Sequence, residues 1–294
     1  MSGKSGTPQP FSDLKDRWEQ KFEREREERQ EAILARSNQP MDLTAWRSGL
    51  YLRLFSFYTY KRGKDLTPIE YVSPDGKFRL KASPNVEFGL PTVWDADVVD
   101  FLITKGRELV SSNDDFPGKI RFTVRECLKE LKKNPTSGKN IKAVKLAIER
   151  VGNTSYICNF LGDRPEKGKL TLFNYRFIKL NERDEQIEIA FSSDLLSSLR
   201  GQQGIISSSA KVTEMLLSEE RSGLRKQLIR VVEARLYKKD SLAFWQNTIM
   251  ELCMYRECPR RFREKVKKFE LPFTVEIFKV DGRWKLIFHR KPGF

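Results

Sequence analysis

The chain has 294 residues and a formal net charge of +15, with 55 lysines and arginines against 40 aspartates and glutamates. That length suits two domains of ordinary size, and the basic surplus favours a polyanionic partner, nucleic acid before an anionic membrane surface. No apolar run reaches the ~20 residues of a membrane-spanning helix, and Met1-Ser2-Gly3-Lys4-Ser5-Gly6 lacks the apolar core of a signal peptide, so a cytoplasmic location is expected.

Residues 1–10 read as a flexible leader and residues 12–36 as a charged helix. The apolar positions of that helix, Leu14, Trp18, Phe22 and Ile33, are too sparse for a coiled coil. A solvated extension is the favoured reading, with partner docking through Trp18 and Phe22 as the alternative. Residues 50–60 are aromatic and partly alternating, which predicts a strand. Within them, Leu52-Arg53-Leu54-Phe55 loosely resembles the short peptide by which replication proteins bind a sliding clamp, although a core strand is favoured. Pro74-Asp75-Gly76 is a turn between two short strands, at 69–72 and 78–82.

Residues 95–152 organise the chain as three helices, the last two forming a helix-turn-helix. Asp95, Asp97 and Asp100 open the first helix and read as partners of its N-terminal dipole. Thr123 stands where an N-cap belongs, with Glu126 three positions on, a capping box. Pro135-Thr136-Ser137-Gly138 is the turn. In the following helix Ile141, Val144, Ile148 and Val151 form an apolar face, and Lys142, Lys145 and Glu149 share another. Gly152 and Asn153 end it, since both tolerate a left-handed C-terminal cap. Such a helix, lysines outward, fits a DNA major groove; a merely solvated polar face is the competing reading. Strand-like segments follow at 155–161, 169–180 and 186–191, and a helix-turn-helix followed directly by β-hairpins is a winged helix. Lys167, Gly168 and Lys169 fall at a hairpin tip within reach of phosphates.

Gly201-Gln202-Gln203-Gly204 and Ser207-Ser208-Ser209 mark a shift in composition and a domain boundary. Beyond it, Leu224, Leu228, Val231, Val232 and Leu236 recur at helical spacing over 222–238, and 243–245 form a short strand. Asn247 or Thr248 caps a helix over 249–255, and Cys258-Pro259 breaks the chain. The next helix, 260–269, buries Phe262, Val266 and Phe269; Arg261, Lys265 and Lys268 line one polar face, and Arg260, Arg263 and Lys267 another. A hairpin at 273–280 and 283–290 turns at Asp281-Gly282. The order of elements repeats although the residues do not. The expected fold is therefore α+β: two tandem winged-helix domains, 40–200 and 201–294, behind an N-terminal charged helical extension in 1–39.

The inventory for catalysis is thin. His289 is the only histidine, so a metal-holding histidine pair is absent and a serine triad would have to be built on a strand residue, with no Gly-x-Ser-x-Gly elbow to serve it. Gly138-Lys139 and Gly168-Lys169 lack both the leading glycine and the Ser/Thr of a phosphate-binding loop. Cys127, Cys158, Cys253 and Cys258 do not have zinc spacing, and Cys127 and Cys253 sit among apolar residues as buried thiols. A carboxylate–metal nuclease is the least excluded enzyme. The expectation is a protein without catalytic activity, metal or cofactor.

Three stretches carry a resemblance: Leu90-Pro91-Thr92-Val93-Trp94-Asp95-Ala96-Asp97-Val98-Val99, then Ile120-Arg121-Phe122-Thr123, then Ser137-Gly138-Lys139 with the helix to Val151. They resemble bacterial plasmid replication initiators of the replication initiator protein A family, and Arg235-Leu236-Tyr237 is similar to a stretch in that family's second domain. The resemblance implies a tandem winged-helix protein that binds iterons, the repeated sites of a plasmid origin. It implies opening of the adjacent AT-rich duplex and recruitment of host initiator, replicative helicase and sliding clamp. Active monomers and inactive or repressing dimers are expected of such proteins. A winged-helix transcriptional regulator without initiation activity is the alternative. The candidate DNA-binding residues are Ser137, Lys139, Asn140, Lys142 and Lys145 in the first domain, and Arg260, Arg261, Arg263 and Lys267 in the second.

Overall fold

Residues 47–49, 52–53, 57–73, 75–112, 116–160, 169–179, 185–200, 205–218, 221–236 and 239–291 are described by a computed structural model. The leader and charged N-terminal helix, Leu54 and Phe55, Lys167 and Gly168, and Gly201 to Gly204 lie outside them. In chain order the first elements are β1 (Arg47–Gly49), β2 (Ile69–Val72) and β3 (Arg79–Ser83). The strand expected over 50–60 does not form in its described part. Leu52 and Arg53 are helical, and Thr59 makes a single parallel bridge to Thr92. Phe57, Tyr58 and Thr59 are buried one after another. A segment covered on every side has no reason to alternate, so the period-2 reading misled.

Then come α1 (Asp95–Ser112), β4 (Lys119–Thr123), α2 (Val124–Glu130), α3 (Gly138–Asn153), β5 (Ser155–Cys158), β6 (Phe173–Lys179), β7 (Glu185–Phe191), α4 (Ser193–Arg200), β8 (Ile205–Ser207) and α5 (Ala210–Ser218). The last part is α6 (Gly223–Leu236), β9 (Ser241–Trp245), α7 (Gln246–Leu252), α8 (Pro259–Lys268), β10 (Phe273–Val280) and β11 (Arg283–Arg290). The fold is mixed α/β, with eight helices and small sheets of two or three strands among the described residues.

One unit occurs twice. Helix, strand, helix, turn, helix and hairpin describe both α1–β4–α2–α3–β6–β7 and α6–β9–α7–α8–β10–β11. Each sheet is antiparallel, and in each the final strand sits between the hairpin partner and the first strand: β4-β7-β6 and β9-β11-β10. The helix before the turn also stops in the same way. Lys132 and Met254 take left-handed backbone at φ 54 and 56, and Lys133 N–H and Tyr255 N–H reach back to the carbonyls of Leu128 and Met250, each at 2.8 Å. That is a Schellman stop, made without glycine in both cases. At the tip of the second hairpin Asp281 and Gly282 are both left-handed, φ 46 and 78, the geometry of a two-residue type I′ turn that sets Val280 opposite Arg283.

The first unit carries an insertion. β5 leaves α3 for a separate antiparallel sheet, β2-β3-β5, so the hairpin does not follow α3 directly. Leu80 lies opposite Cys158 and Ala82 opposite Tyr156, and all four are buried, which is why this short strand crosses over rather than starting the hairpin.

Two of the expected helix ends differ in the structure. The Thr123–Glu126 box is present, with Glu126 N–H donating to Thr123 Oγ1 at 3.1 Å and Thr123 N–H to Glu126 Oε2 at 3.4 Å. Gly152, however, is not a left-handed cap: α3 runs to Asn153 and leaves through Thr154 in extended backbone. The glycine serves close packing, since a Cβ there would come within 2.6 Å of Tyr175 Cδ1. Likewise α7 begins at Gln246, ahead of Asn247 and Thr248, straight off the end of β9 at Trp245 and with no side-chain cap.

The halves meet through buried charge. Asp95 does serve the start of α1, accepting Thr92 N–H at 2.7 Å, and also meets Arg150 of α3 at 3.3 Å. Asp97 and Asp100 are not simply dipole partners. Asp97 contacts Lys226 of α6 at 2.5 Å, and Asp100 takes Arg230 of α6 at 2.7 Å and Arg53 at 3.3 Å. Arg53 continues to Glu233 at 2.6 Å and to Ser208 Oγ at 2.6 Å. Burial depresses the Lys226 pKa, with Asp97 acting against it, and raises that of Glu233, with Arg53 acting against it. Around this network one hydrophobic core cluster includes buried residues from both units. The register of α1 against α6 is thereby set by paired ions that tolerate little sliding.

Candidate nucleic-acid interface

In the first unit the turn before α3 is built on Asn134. Its Oδ1 accepts Thr136 N–H at 2.9 Å and Thr136 O–H at 2.8 Å, and its backbone carbonyl accepts Asn140 Nδ2–H at 3.1 Å. Ser137 caps α3, its hydroxyl accepting Asn140 N–H. Ser137 and Asn140, both proposed from the sequence as DNA contacts, thus hold the turn in shape. The Asx turn at Asn134 was legible as a signal, because asparagine side chains bond their own backbone two residues on.

Lys139 and Lys142 are exposed on the free side of α3, and the structure shows no ion pair for them among the described residues. Lys145 is half-buried, pairs with Glu185 of β7, and lies 5.7 Å from the Phe177 ring of β6. It ties α3 to the hairpin. The apolar face is as predicted: Val144, Ile148 and Val151 are buried, with Ala147 beside them, and Ile141 packs at the edge.

In the second unit α8 starts with Pro259 in its first turn, where the missing N–H is not needed. Phe262 and Val266 are buried. Arg261, Lys267 and Lys268 are exposed. Arg260 is also exposed and makes an i,i+4 pair with Glu264 at 2.9 Å, a solvated pair that constrains it little. Arg263 is held: Nη1 donates to Gln246 Oε1 at 2.6 Å, and the guanidinium lies 4.2 Å from the centre of the Trp284 ring. Lys265 leans on the Tyr255 ring at 5.1 Å and on Glu257 at 3.5 Å. Cys258 precedes the helix and is exposed, and the backbone N–H groups of Arg261 and Arg260 hold its thiol pKa below the usual range. Cys127, Cys158 and Cys253 are buried.

The nine residues therefore fall into two sets of the same kind. Lys139 and Lys142 on α3, and Arg260, Arg261 and Lys267 on α8, project outward. Ser137, Asn140, Lys145 and Arg263 anchor their helices. Sequence reasoning passed over Arg283 and Lys285, whose cations approach the Trp245 ring at 5.0 and 5.5 Å beside the hairpin turn. Their signal was the run Arg283-Trp284-Lys285 straight after Asp281-Gly282. Among the described residues no group of three or more His, Cys, Asp or Glu side chains comes together to hold a metal ion. No helix among them is long and apolar enough to cross a membrane.

Comparison with known proteins gives three findings. The family described as replication initiator protein A matches residues 50–271. No curated protein matches the chain. Among solved structures, selenomethionine derivatives of domains 2 and 3 of RctB superpose with a TM-score of 0.55 at 11% identity, covering 85% of this chain and 98% of that one. A second structure of RctB domains 2–3 gives a TM-score of 0.49 at 13% identity, with 82% and 97% covered. At such identities the first superposition speaks for the fold alone.

Proposed function

This chain belongs to the replication initiator protein A family, and on that premise we propose that it is a plasmid replication initiator whose two units are winged helices that bind iterons in the origin. Bound there, it promotes opening of the adjacent duplex and brings host initiator, replicative helicase and sliding clamp to the site. It works in the cytoplasm and without catalysis, since binding energy and DNA distortion suffice to open a duplex. Self-association controls the active form, monomers binding iterons and dimers being inactive.

The observation that supports this reading most is the repeated unit with an outward-facing basic helix at the same place in each copy. Lys139 and Lys142 stand on α3, and Arg261 and Lys267 on α8. A helix presented this way fills the major groove, and two joined in one chain reach successive turns on one face of the duplex, about 10 base pairs apart. Two non-identical helices read an asymmetric repeat. Lysines and arginines at phosphates release counterions, so affinity falls steeply with salt.

Footprinting on the DNA that flanks the gene tests the proposal. Protection of several directly repeated sites of about two helical turns beside an AT-rich tract is the expected result. A single protected site at a promoter, with no support of replication from a cloned origin fragment, identifies a transcriptional regulator instead. Cleavage of supercoiled origin DNA in magnesium would refute the non-catalytic mechanism.

A further inference from the structure

A pocket of about 390 Å³ opens at the end of the second sheet, where β9 runs into α7 and β11 leaves the hairpin turn. Two tryptophans shape it. Trp284 shares the inward side of β11 with buried Leu286 and Phe288, and Arg263 of α8 lies over its ring. Trp245 stands opposite Lys285 across the β9–β11 ladder on the other side of the sheet, and 38% of it remains exposed. The pocket thus wraps the sheet end and is reached from both sides. Among the described residues its lining carries Arg263 and Arg283 and no carboxylate.

These features select a ligand. Arg263 is pre-oriented, with one amino group committed to Gln246 and its plane against Trp284. Gln246 is itself buried and braced, its Nε2 donating to the Pro259 carbonyl at 3.1 Å. Two guanidinium groups without a neutralising carboxylate suit a phosphate, which they grip in paired hydrogen bonds. The half-exposed indole of Trp245 suits a flat, unpaired ring, because stacking on an aromatic side chain is how bases of single strands are held. Such a ring would take the place of the Arg283 and Lys285 cations, which stand 5.0 and 5.5 Å from the indole centre, and so release Arg283 to the phosphate. The volume admits about one nucleotide. A base inside a duplex offers no free face to an indole. From this we infer that the pocket receives one nucleotide of an unpaired DNA strand, its phosphate on Arg263 and Arg283 and its base against Trp245. The inference rests on the reading of α8 and its hairpin as a DNA-facing unit.

The test uses the full chain, a labelled oligothymidylate of ~12 nucleotides, within the span of common single-strand sites, free thymidine monophosphate, and the footprinted duplex repeat. Oligothymidylate should quench the tryptophan emission of the unaltered protein. Trp245→Ala and Arg283→Ala, both at exposed positions, should each weaken oligothymidylate binding by roughly tenfold, while Trp245→Ala binds the duplex repeat as before and Trp245→Phe retains most of the single-strand affinity. Unchanged oligothymidylate binding in both alanine variants overturns the proposal. Equal loss of duplex and single-strand binding in Trp245→Ala also overturns it, because the pocket then belongs to the duplex footprint. Thymidine monophosphate binding as tightly as the oligonucleotide identifies a free nucleotide as the ligand and overturns the strand. If the unaltered protein ignores the duplex repeat but the single-strand losses occur, the initiator reading fails and the pocket assignment stands.

Discussion

Helices α3 and α8 occupy the same place in the same topology and reach it with different chemistry. Before α3 the chain uses side-chain hydrogen bonds: Asn134 shapes the turn and Ser137 caps the helix. Before α8 it uses Pro259 in the first helical turn and a cysteine at the cap. On α3 the anchoring cation Lys145 meets a carboxylate and a phenyl ring; on α8 Arg263 meets an amide and an indole. A repeated architecture needs a turn that closes, a fixed start to the helix and one cation tied back to the sheet, and it leaves the residue types open. That is why the repeat is visible as a pattern of elements and invisible as a repeat of residues.

The comparison breaks most severely at the seam. Arg230→Met leaves Asp97 and Asp100 of α1 short of a buried partner and should destabilise the protein by about 3–5 kcal/mol, read by urea denaturation. A single transition, shifted whole, is expected because core residues of the two units belong to one cluster. Two separated transitions would show instead that the units unfold independently.

The next effect concerns DNA and sharpens the division of labour. Replacing Lys139 and Lys142 by alanine should weaken protection at one end of the repeat, and replacing Arg261 and Lys267 at the other. Each lost phosphate contact should reduce the slope of log affinity against log salt by about 0.9, and stability should stay within about 0.5 kcal/mol because the sites are exposed. Uniform weakening by both pairs would mean that neither helix reads bases.

Packing gives the third effect. Gly152→Ala forces a methyl against Tyr175 at the point where α3 lies on β6. A thermal unfolding series should show a loss of about 1–3 kcal/mol, the usual penalty of overpacking. No loss would mean that β6 yields to α3 more readily than this close fit suggests.

The smallest effects compare the two caps. Ser137→Ala should cost about 0.5–1 kcal/mol through the lost N-cap bond, measured by the same unfolding curves. Cys258 should react with iodoacetamide at a pH below the ~8.5 of a free thiol, since its lowered pKa keeps the thiolate populated further down. Cys127 and Cys253, buried and raised in pKa by that burial, should react only after unfolding. Equal reactivity of all the thiols in the native protein would contradict the packing of α2 and of the turn after α7.

What the sequence by itself determined was local. Periodicity located α3, α6, α8 and the last hairpin, and the Thr123–Glu126 spacing located a capping box, because each signal involves residues within a turn or two of one another. It also identified the replication initiator family, from motifs that are contiguous in the chain. Tertiary structure decided the rest. Asp97 and Asp100 read as helix-dipole residues until Lys226, Arg230 and Arg53 met them from distant parts of the chain. Residues 50–60 read as a strand because an aromatic run suits one, but Leu52 and Arg53 are helical and Phe57, Tyr58 and Thr59, buried one after another, make a single bridge rather than a strand. Gly152 read as a cap until Tyr175 occupied the space where its side chain would be. On α3 and α8 the pattern could place every cation on a face, but which of them project and which are tied down depends on Glu185, Gln246 and Trp284. Those partners reach the helices only through folding, since hydrogen bonds and ion pairs act over a few ångströms and the sequence does not record which distant residues come that close.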